Sequence, residues 1–507
     1  MGPSKVVAVT ALEHVIAEAP LVRGIGPVTR LSSRPLSPYP TTFRPAPYAG
    51  DMSHSPSIVW LRNDLRLRDN PALDAAVGRG EPVIIVYIHD EVSPGMRPLG
   101  RATKWWLHHS LAALKGDIAA RGGTLTLRQG VGGDIIRELV ATHQAGGVFW
   151  NRRYGGAREN DTTLKEELRA GGVQCHSFAG NLLFEPWTIR TGDGNPFRVF
   201  TPFWRACLAS APPRQPLVEP DSLECLPRVA SDEADSWDLL PALPEWSAGL
   251  EEIWTPGERG ATRRLEGFVE NTLVSYHRRD EPGIESTSRL SPHLRFGEIS
   301  PHIIWDAVER GLPDGASKNK AKFLSEVGWR EFSYNILFHH TDLHKTNFRA
   351  EFDLFPWQQP ETEMLAAWQT GATGVPLVDA GMRELWNTGY MHNRVRMVTA
   401  SFLIKNMLVD WRIGEAWFWD TLVDADEANN PASWQWVAGS GADAAPYFRV
   451  FNPFLQADKF DPDRLYVTQW LGDNPVNYPT EPIVDMKASR DRALAAFQEL
   501  KALRLGE

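Results

Sequence analysis

From Ser57 onward the chain alternates short runs of β-branched and aromatic residues with longer segments whose apolar positions recur every three or four residues. The runs are Ile58–Leu61, Val83–Ile88, Thr124–Leu127, Val148–Trp150 and Val173–Phe178, and helix-like segments such as Trp105–Ala120 and Asp134–Thr142 separate them. Short apolar strands joined by helices predict a parallel sheet covered on both faces, so residues 56–185 are expected to form a doubly wound, Rossmann-like α/β domain. Gly130, Gly132 and Gly133 ahead of the helix at Asp134 could cradle a phosphate at a helix N-terminus or form an ordinary tight turn. Neither a Walker lysine nor a full GxGxxG accompanies them.

The pattern then changes twice. Residues 186–256 are Pro-rich, punctuated by acids and weakly periodic, which predicts an ordered interdomain linker wrapping the first domain. Residues 257–507 carry long stretches of period 3.6, among them Lys320–His339, Thr362–Thr370 and Val378–Val409, with almost no strand signal. A large all-helical domain is expected there, able to hold a cofactor between its helices. Residues 1–55 lack periodicity and contain no acid between Arg23 and Gly50. They read as disordered or as an extension created by a start codon placed too far upstream, Met52 standing just before the first strand; a transit peptide is the rival reading.

Composition narrows the class. The 507 residues, 42% of them hydrophobic, suffice for two cores. No apolar run approaches the roughly 20 residues that span a bilayer, so a protein without a membrane segment is expected. Cys175, Cys207 and Cys225 show no CxxC spacing, and three thiols cannot hold a four-thiolate cluster, so neither a disulfide framework nor an iron–sulfur centre is expected and a cytoplasmic location fits. A net charge of -10 argues against a surface basic all over, though not against a local basic groove. Twenty tryptophans serve equally as core filler, base-stacking surfaces or electron carriers.

Four segments carry candidate chemistry. Thr287, Ser288 and Ser291 cluster hydroxyls at a probable helix start, where they cap the helix or bind an anion such as a pyrophosphate. Glu326, Trp329 and Arg330 share one helix face by their spacing, and would either read a heterocycle or form a surface salt bridge beside a half-buried indole. Asn393, Arg396 and Met397 fall together on a segment too polar for an idle core helix. Asp424, Asp426 and Asn430 precede Trp434-Gln435-Trp436; a divalent metal site there lacks the central glycine and closing glutamate of a calcium loop, and no metal is expected.

Trp60-Leu61-Arg62-Asn63-Asp64-Leu65-Arg66 with Asp69-Asn70-Pro71-Ala72-Leu73, the segments Thr287–Pro292 and Met391–Met397, and Trp434-Gln435-Trp436 followed by Asp443–Arg449 together resemble the photolyase and cryptochrome family, most closely its class III photolyases, over about Ser57 to Trp470. The resemblance implies FAD in the helical domain, with Tyr276, Thr287, Ser288, Leu290 and Ser291 at its phosphates. It implies Arg396 paired with Asp424 beside the flavin ring, Asp426 at the flavin or its ribose, and Asn430 facing flavin N5. Glu326, Trp329, Asn393, Met397 and Trp436 would line a substrate cavity, and Arg394, Arg449 and Lys459 would contact phosphates of UV-damaged DNA at its rim.

The implied activity is that of a carbon–carbon lyase: under blue light the excited reduced flavin gives an electron to a flipped-out cyclobutane pyrimidine dimer, whose ring splits before the electron returns. Photolyases are among the enzymes that extrude their target base from the stack. A protonated Glu326, raised by burial, would donate to a pyrimidine carbonyl. Trp434, Trp411 and Trp357 fall where the family has its electron relay, with Trp386, Trp417 and Trp419 leaving room for a branch. The antenna chromophore implied is 5,10-methenyltetrahydrofolate on the α/β domain, a deazaflavin being the alternative, and a monomer is expected. Asn430 favours repair over a cryptochrome-type photoreceptor, which typically has Asp there; a six-four photolyase would need a histidine pair that Met391-His392-Asn393 does not present in that context.

Overall fold

A computed structural model describes residues 55–240, 244–311, 317–444, 448–472 and 478–505. The expectation for the N-terminal extension, Met52 included, lies outside the described residues.

Five strands, β1 (Ser57–Leu61), β2 (Val83–His89), β3 (Leu125–Gln129), β4 (Gly147–Asn151) and β5 (Gln174–Phe178), form a parallel sheet in the order β3-β2-β1-β4-β5. Each coincides with a run expected from sequence to within one or two residues. Every residue of β1, β2 and β4 is buried, which is why those runs are continuously apolar instead of alternating. Alternate residues nevertheless serve different faces. Val59, Leu61, Ile85 and Tyr87 pack with the helix Arg101–Ala119, whereas Ile58, Trp60, Ile84 and Val86 pack with Ile135, Leu139 and Leu164 of the helices on the other side. Gly130 has φ +137, and the helix Gly132–His143 starts without a side-chain cap; Gly132 N–H instead donates to Asp90 at 2.9 Å.

The first of these faces does not end at the domain boundary. Leu250 and Trp254 from the linker and Phe296, Tyr390 and Val423 from the helical region complete the same core. Leu65 N–H donates to Phe296 O at 3.0 Å, and the fully buried Arg66 donates to Gly297 O at 2.9 Å and Gly180 O at 2.6 Å. Gly297 has φ +64, and a Cβ there would lie 2.0 Å from Asn63 O, so the close approach of the two domains requires glycine. The WLRNDLR segment thus works as an interdomain latch.

The stretch expected to be a linker contains helices Phe200–Ala209 and Pro244–Ile253. Phe203 and Trp204 of the first belong to the same core as Phe332 of the helical region, while the segment near Glu224 returns to the sheet, where Val83 N–H donates to Glu224 O at 2.8 Å. It therefore wraps both domains. Its acids and prolines hide short amphipathic pieces that a search for long periods passes over.

The rest of the described chain is helical, as expected. Lys320–His339 lies within the helix Ser317–His339, and Thr362–Thr370 is a helix with the expected bounds. Val378–Val409 is not one element. The helix Pro376–Thr388 stops at Gly389, which sits at φ 64 as a left-handed cap, and a new helix, Asn393–Ser401, begins with His392 Nδ1 accepting from Arg394 N–H at 3.2 Å. The break turns the first residues of the second helix toward a cavity.

Candidate active site

The helices Ser291–Phe296, Ser317–His339, Asn393–Ser401 and Asn429–Ala438 enclose a cavity of about 570 Å³. On its walls lie Tyr276, Ser288, Leu290, Ser291, Arg396, Asp424, Asp426 and Asn430, together with Glu326, Trp329, Asn393, Arg394, Met397, Trp434 and Trp436. Residues singled out at widely separated points of the sequence therefore share one enclosure. Thr287, Arg449, Lys459, Trp411 and Trp357 do not line it.

Arg396 and Asp424 form a bidentate pair, Nη1 to Oδ1 at 3.0 Å and Nη2 to Oδ2 at 2.8 Å, and Ser291 Oγ donates to the same Asp424 Oδ2 at 2.6 Å. Burial works to lower the Arg396 pKa, but the charge and hydrogen bonds of Asp424 outweigh it and the guanidinium is held more firmly protonated than usual. Such a matched pair is the form in which a buried carboxylate is tolerated. With two serine hydroxyls and one cation on one wall, this side of the cavity suits a ring with several acceptors and an attached phosphate chain.

Asn430 donates its amide to Glu415 Oε1 at 2.8 Å and to Glu415 O at 3.1 Å, which leaves the carboxamide oxygen as the group presented to the cavity. Glu415 is in turn clasped by Arg97 of the α/β domain at 2.7 and 2.8 Å. Sequence reasoning missed both. Glu415 is a buried acid in the aromatic-rich helix Trp411–Thr421, and such a group needs a partner, but its burial is not legible in the sequence.

Three of these residues make contacts within the protein that the sequence did not announce. Asp426 is engaged in its own turn, accepting from the N–H groups of Ala428 at 2.8 Å and Asn429 at 2.5 Å and from the Asn429 side chain at 2.7 Å, so it shapes the start of the helix Asn429–Ala438. Glu326 is not enclosed in apolar surroundings: its Oε1 lies 3.2 Å from Arg279 and 3.1 Å from Lys322, and the side chain is 27% exposed. Arg279, another cavity residue that sequence reasoning missed, is thus the immediate partner of Glu326. Trp329 has one face already covered by Phe200, with ring centroids 3.9 Å apart and an interplanar angle of 10°, leaving a single face for stacking.

The remaining cationic and aromatic residues, at the cavity and beyond it, fall into two groups. Arg394 stands at the cavity, 3.1 Å from Asp280 and with its guanidinium 4.2 Å from the centre of the Phe460 ring; Lys459 covers the same ring at 4.9 Å and is exposed. Arg449 is exposed and borders a neighbouring hollow. Trp434 is 2% exposed and packs edge-on against Phe418 at 4.9 Å, whereas Trp411 is fully buried with Nε1 donating to Asn347 at 2.9 Å. Trp357 is half-buried against Phe355. A second set, Trp246, Trp386 and Trp417, runs in series at 6.2 Å per step, the first contact edge-on and the second stacked, while Trp419 bonds Pro98 O.

A parallel α/β domain latched to a helical domain, whose cavity joins a polar wall of hydroxyls, a bidentate ion pair and an amide to an aromatic wall, defines a two-domain cofactor-binding protein. The chain belongs to the DNA photolyase and cryptochrome family. Residues 57–221 match the family described as "DNA photolyase" and residues 323–475 that described as "FAD binding domain of DNA photolyase". The chain is 47% identical to a deoxyribodipyrimidine photo-lyase of Agrobacterium fabrum over 88% of its own length and 98% of the relative's, and 36% identical to cryptochrome-1 of Arabidopsis thaliana over 82% of its length and 62% of the relative's. Among solved structures it is similar to a bacterial class III photolyase from Agrobacterium tumefaciens, with a TM-score of 0.84 and 45% identity over 90% of this chain and 100% of that one. It also resembles a Synechocystis cryptochrome, with a TM-score of 0.77 and 26% identity over 88% of this chain and 100% of that one. The helical domain is an FAD-binding domain of the photolyase type. No helix among the described residues is long and apolar enough to cross a membrane.

Proposed function

We propose that the protein is a deoxyribodipyrimidine photolyase, repairing cyclobutane pyrimidine dimers in UV-damaged DNA with FAD as its working cofactor. The observation that carries the reading is that the cofactor-type wall (Ser291, Arg396, Asp424, Asn430) and the base-stacking wall (Trp329, Asn393, Met397, Trp436) belong to one cavity of about 570 Å³. A ring held on the first wall would meet a substrate on the second without an intervening domain. Identity of 47% with a photolyase against 36% with a plant cryptochrome, and an amide instead of a carboxylate at residue 430, favour repair over sensing.

When bound, FAD supplies light absorption and one-electron chemistry; the protein supplies position and electrostatics. Ser288 and Ser291 suit the phosphates and Arg396 the acceptor edge of the ring. Asn430 offers its oxygen as acceptor to a ring N–H, with orientation set by Glu415. Trp329 and Trp436 offer ring faces to the dimer, and Glu326 and Arg279 offer polar contacts to its carbonyl edge. Arg394, Arg449 and Lys459 would hold backbone phosphates without reading sequence. Trp434, Trp411 and Trp357 would serve as inner, middle and outer stations of an electron relay, the first two buried and Trp357 half-buried.

The reading extends to 5,10-methenyltetrahydrofolate as antenna on the α/β domain, as the resemblance of the sequence to class III photolyases implies, and to a monomer in the cytoplasm, the compartment that preserves Cys175, Cys207 and Cys225 as free thiols. An absorbance spectrum of the purified protein, followed by blue-light and dark incubation with a dimer-containing oligonucleotide, tests the whole. Flavin bands with light-dependent return of intact pyrimidines are expected; flavin bands with no repair after chemical reduction would leave the photoreceptor reading in its place.

A further inference from the structure

Asn393, Arg394, Arg396 and Met397 all face the cavity, and all stand within the first five positions of one helix, Asn393–Ser401, so the point at which that helix begins aims every one of them. The start is set by His392, which lies behind the wall. It is 6% exposed; its Nδ1 accepts from Arg394 N–H at 3.2 Å, and its own backbone N–H donates to Glu384 Oε2 at 2.9 Å. Glu384 is buried too and also accepts from Tyr466 O–H at 2.5 Å, so the helices Pro376–Thr388 and Leu465–Leu471 together anchor the turn. A ring nitrogen that accepts carries no proton, which makes the imidazole neutral with its hydrogen on Nε2. Burial drives the His392 pKa down to about 4, against the pull of the Asp280 carboxylate and the Arg279 backbone. Those two neighbours reach both walls, Asp280 lying 3.1 Å from Arg394 and Arg279 3.2 Å from Glu326.

We propose that His392 is a positioning residue for DNA binding: by capping the helix Asn393–Ser401 it aims Asn393 at the dimer and Arg394 at a backbone phosphate, while touching neither. The first N–H groups of a helix have no intrahelical partner, and an acceptor at the cap fixes where the first turn begins. Histidine is not one of the usual caps. Elsewhere in the chain the same offset is filled by Asn452, accepting from Phe454 N–H at 3.0 Å, and by Asp410, accepting from Arg412 N–H at 3.0 Å. At residue 392 a carboxylate would place a second acid beside Asp280 and compete for the charge of Arg394. The neutral imidazole caps without that competition, and its ring also fills the space next to the Arg279–Asp280 turn. The inference rests on the photolyase reading, which alone makes Asn393 and Arg394 contacts to damaged DNA.

The test is the affinity of the FAD-loaded protein for a dimer-containing duplex across a salt series, for wild type, His392→Ala and His392→Asn. In the alanine variant affinity should fall by about tenfold, the scale of one charge-assisted contact, and the slope of log affinity against log salt should shrink by about one as Arg394 drops out. Asparagine restores the cap but not the ring volume, so it should recover both affinity and slope while melting below wild type. Repair at saturating DNA should stay close to wild type in both variants, because FAD and Glu326 keep their places. A purely structural His392 would lower the melting temperature of both variants and leave the slope untouched, which would overturn the proposal. Loss of FAD from His392→Ala would do the same, as would an asparagine variant that holds FAD yet keeps the slope of the alanine variant. Wild type separates the two levels: absence of dimer preference or of blue-light repair in wild type sinks the photolyase reading, whereas wild-type repair with an unchanged slope in His392→Ala sinks only the role of His392.

Discussion

Asn430 Nδ2 stands 2.8 Å from Glu415 Oε1, and Glu415 is itself held by Arg97 from the other domain at 2.7 and 2.8 Å. An asparagine side chain can present either its oxygen or its nitrogen, and the two differ in what they do for a reduced ring nitrogen. The buried carboxylate removes the ambiguity by accepting from the nitrogen. An interdomain ion pair thereby sets the hydrogen-bonding sense of an amide inside the helical domain.

Glu415→Ala should therefore leave FAD content close to wild type but lower the yield of fully reduced flavin on illumination by about tenfold, the scale of one lost hydrogen bond to a charged group. Glu415→Gln, which retains one acceptor, should fall between. Flavin absorbance during illumination, normalised to protein, reads both; an alanine variant that photoreduces like wild type would show that the carboxylate does not orient Asn430.

Glu326→Ala should reduce repair quantum yield while FAD stays bound, since its oxygen contacts Arg279 and Lys322 and no residue of the Arg396–Asp424 wall. With a charge-assisted contact to the substrate removed, a loss of roughly tenfold or more at saturating DNA is expected. Unchanged repair under those conditions would remove Glu326 from the substrate wall.

What sequence showed and what it hid follow a physical division. β1, β2 and β4 were legible because strands buried on both faces are apolar without interruption. The Arg396–Asp424 pair was reachable because the two residues lie in distinctive segments. Glu415 was not: its meaning depends on Arg97, 318 residues away, and no periodicity connects them. The break at Gly389 was equally available as a glycine signal, but the apolar period continues across it and masked the stop. Glu326 was placed at the cavity correctly in position and wrongly in surroundings, because Arg279 reaches it from a segment with no recognisable pattern.

Trp434→Phe should abolish photoreduction of oxidised flavin and leave repair intact when the flavin is reduced chemically beforehand. The ring at 434 packs edge-on to Phe418 and lies against Gly414, so phenylalanine is the least disruptive replacement. Residual photoreduction would direct attention to the Trp386–Trp417 stack, and loss of repair in the pre-reduced variant would show that Trp434 has a structural or substrate role.

Glu331 gives the fold a pH dependence with a definite sign. Fully enclosed, it accepts from Leu183 N–H at 2.9 Å and Phe184 N–H at 3.1 Å, and burial raises its pKa to about 7, against the opposing pull of Arg330 and those two donors. A carboxyl whose folded pKa lies above its unfolded value binds more protons when folded, so its contribution is complete below about pH 4.5 and is lost as pH rises to about 7. Buried histidines such as His302, lowered by desolvation to about 4, act in the opposite direction between that value and about 6.5. Wild type minus Glu331→Gln, measured by denaturant unfolding across this range, isolates the carboxyl. The difference should shift against wild type with rising pH, by at most about 3 kcal/mol. A pH-independent difference would contradict the raised pKa.

Binding to damaged duplex should weaken steeply with salt although the chain carries a net charge of -10. Arg394, Arg449 and Lys459 are offered as the phosphate contacts, and each cation that neutralises a phosphate releases condensed counterions. Arg394 and Lys459 flank the same Phe460 ring, at 4.2 and 4.9 Å, so they would address adjacent stretches of backbone as a unit. Three contacts give a slope of log affinity against log salt of about −3. Arg394 must exchange Asp280, 3.1 Å away, for a phosphate, which costs intrinsic affinity but adds no counterion of its own, so the slope still counts cations. Neutralising all three should flatten the slope while preserving preference for the dimer, because Trp329, Asn393 and Trp436 are the residues proposed to discriminate by shape and stacking inside the cavity. Loss of that preference with the slope retained would exchange the roles assigned to rim and cavity.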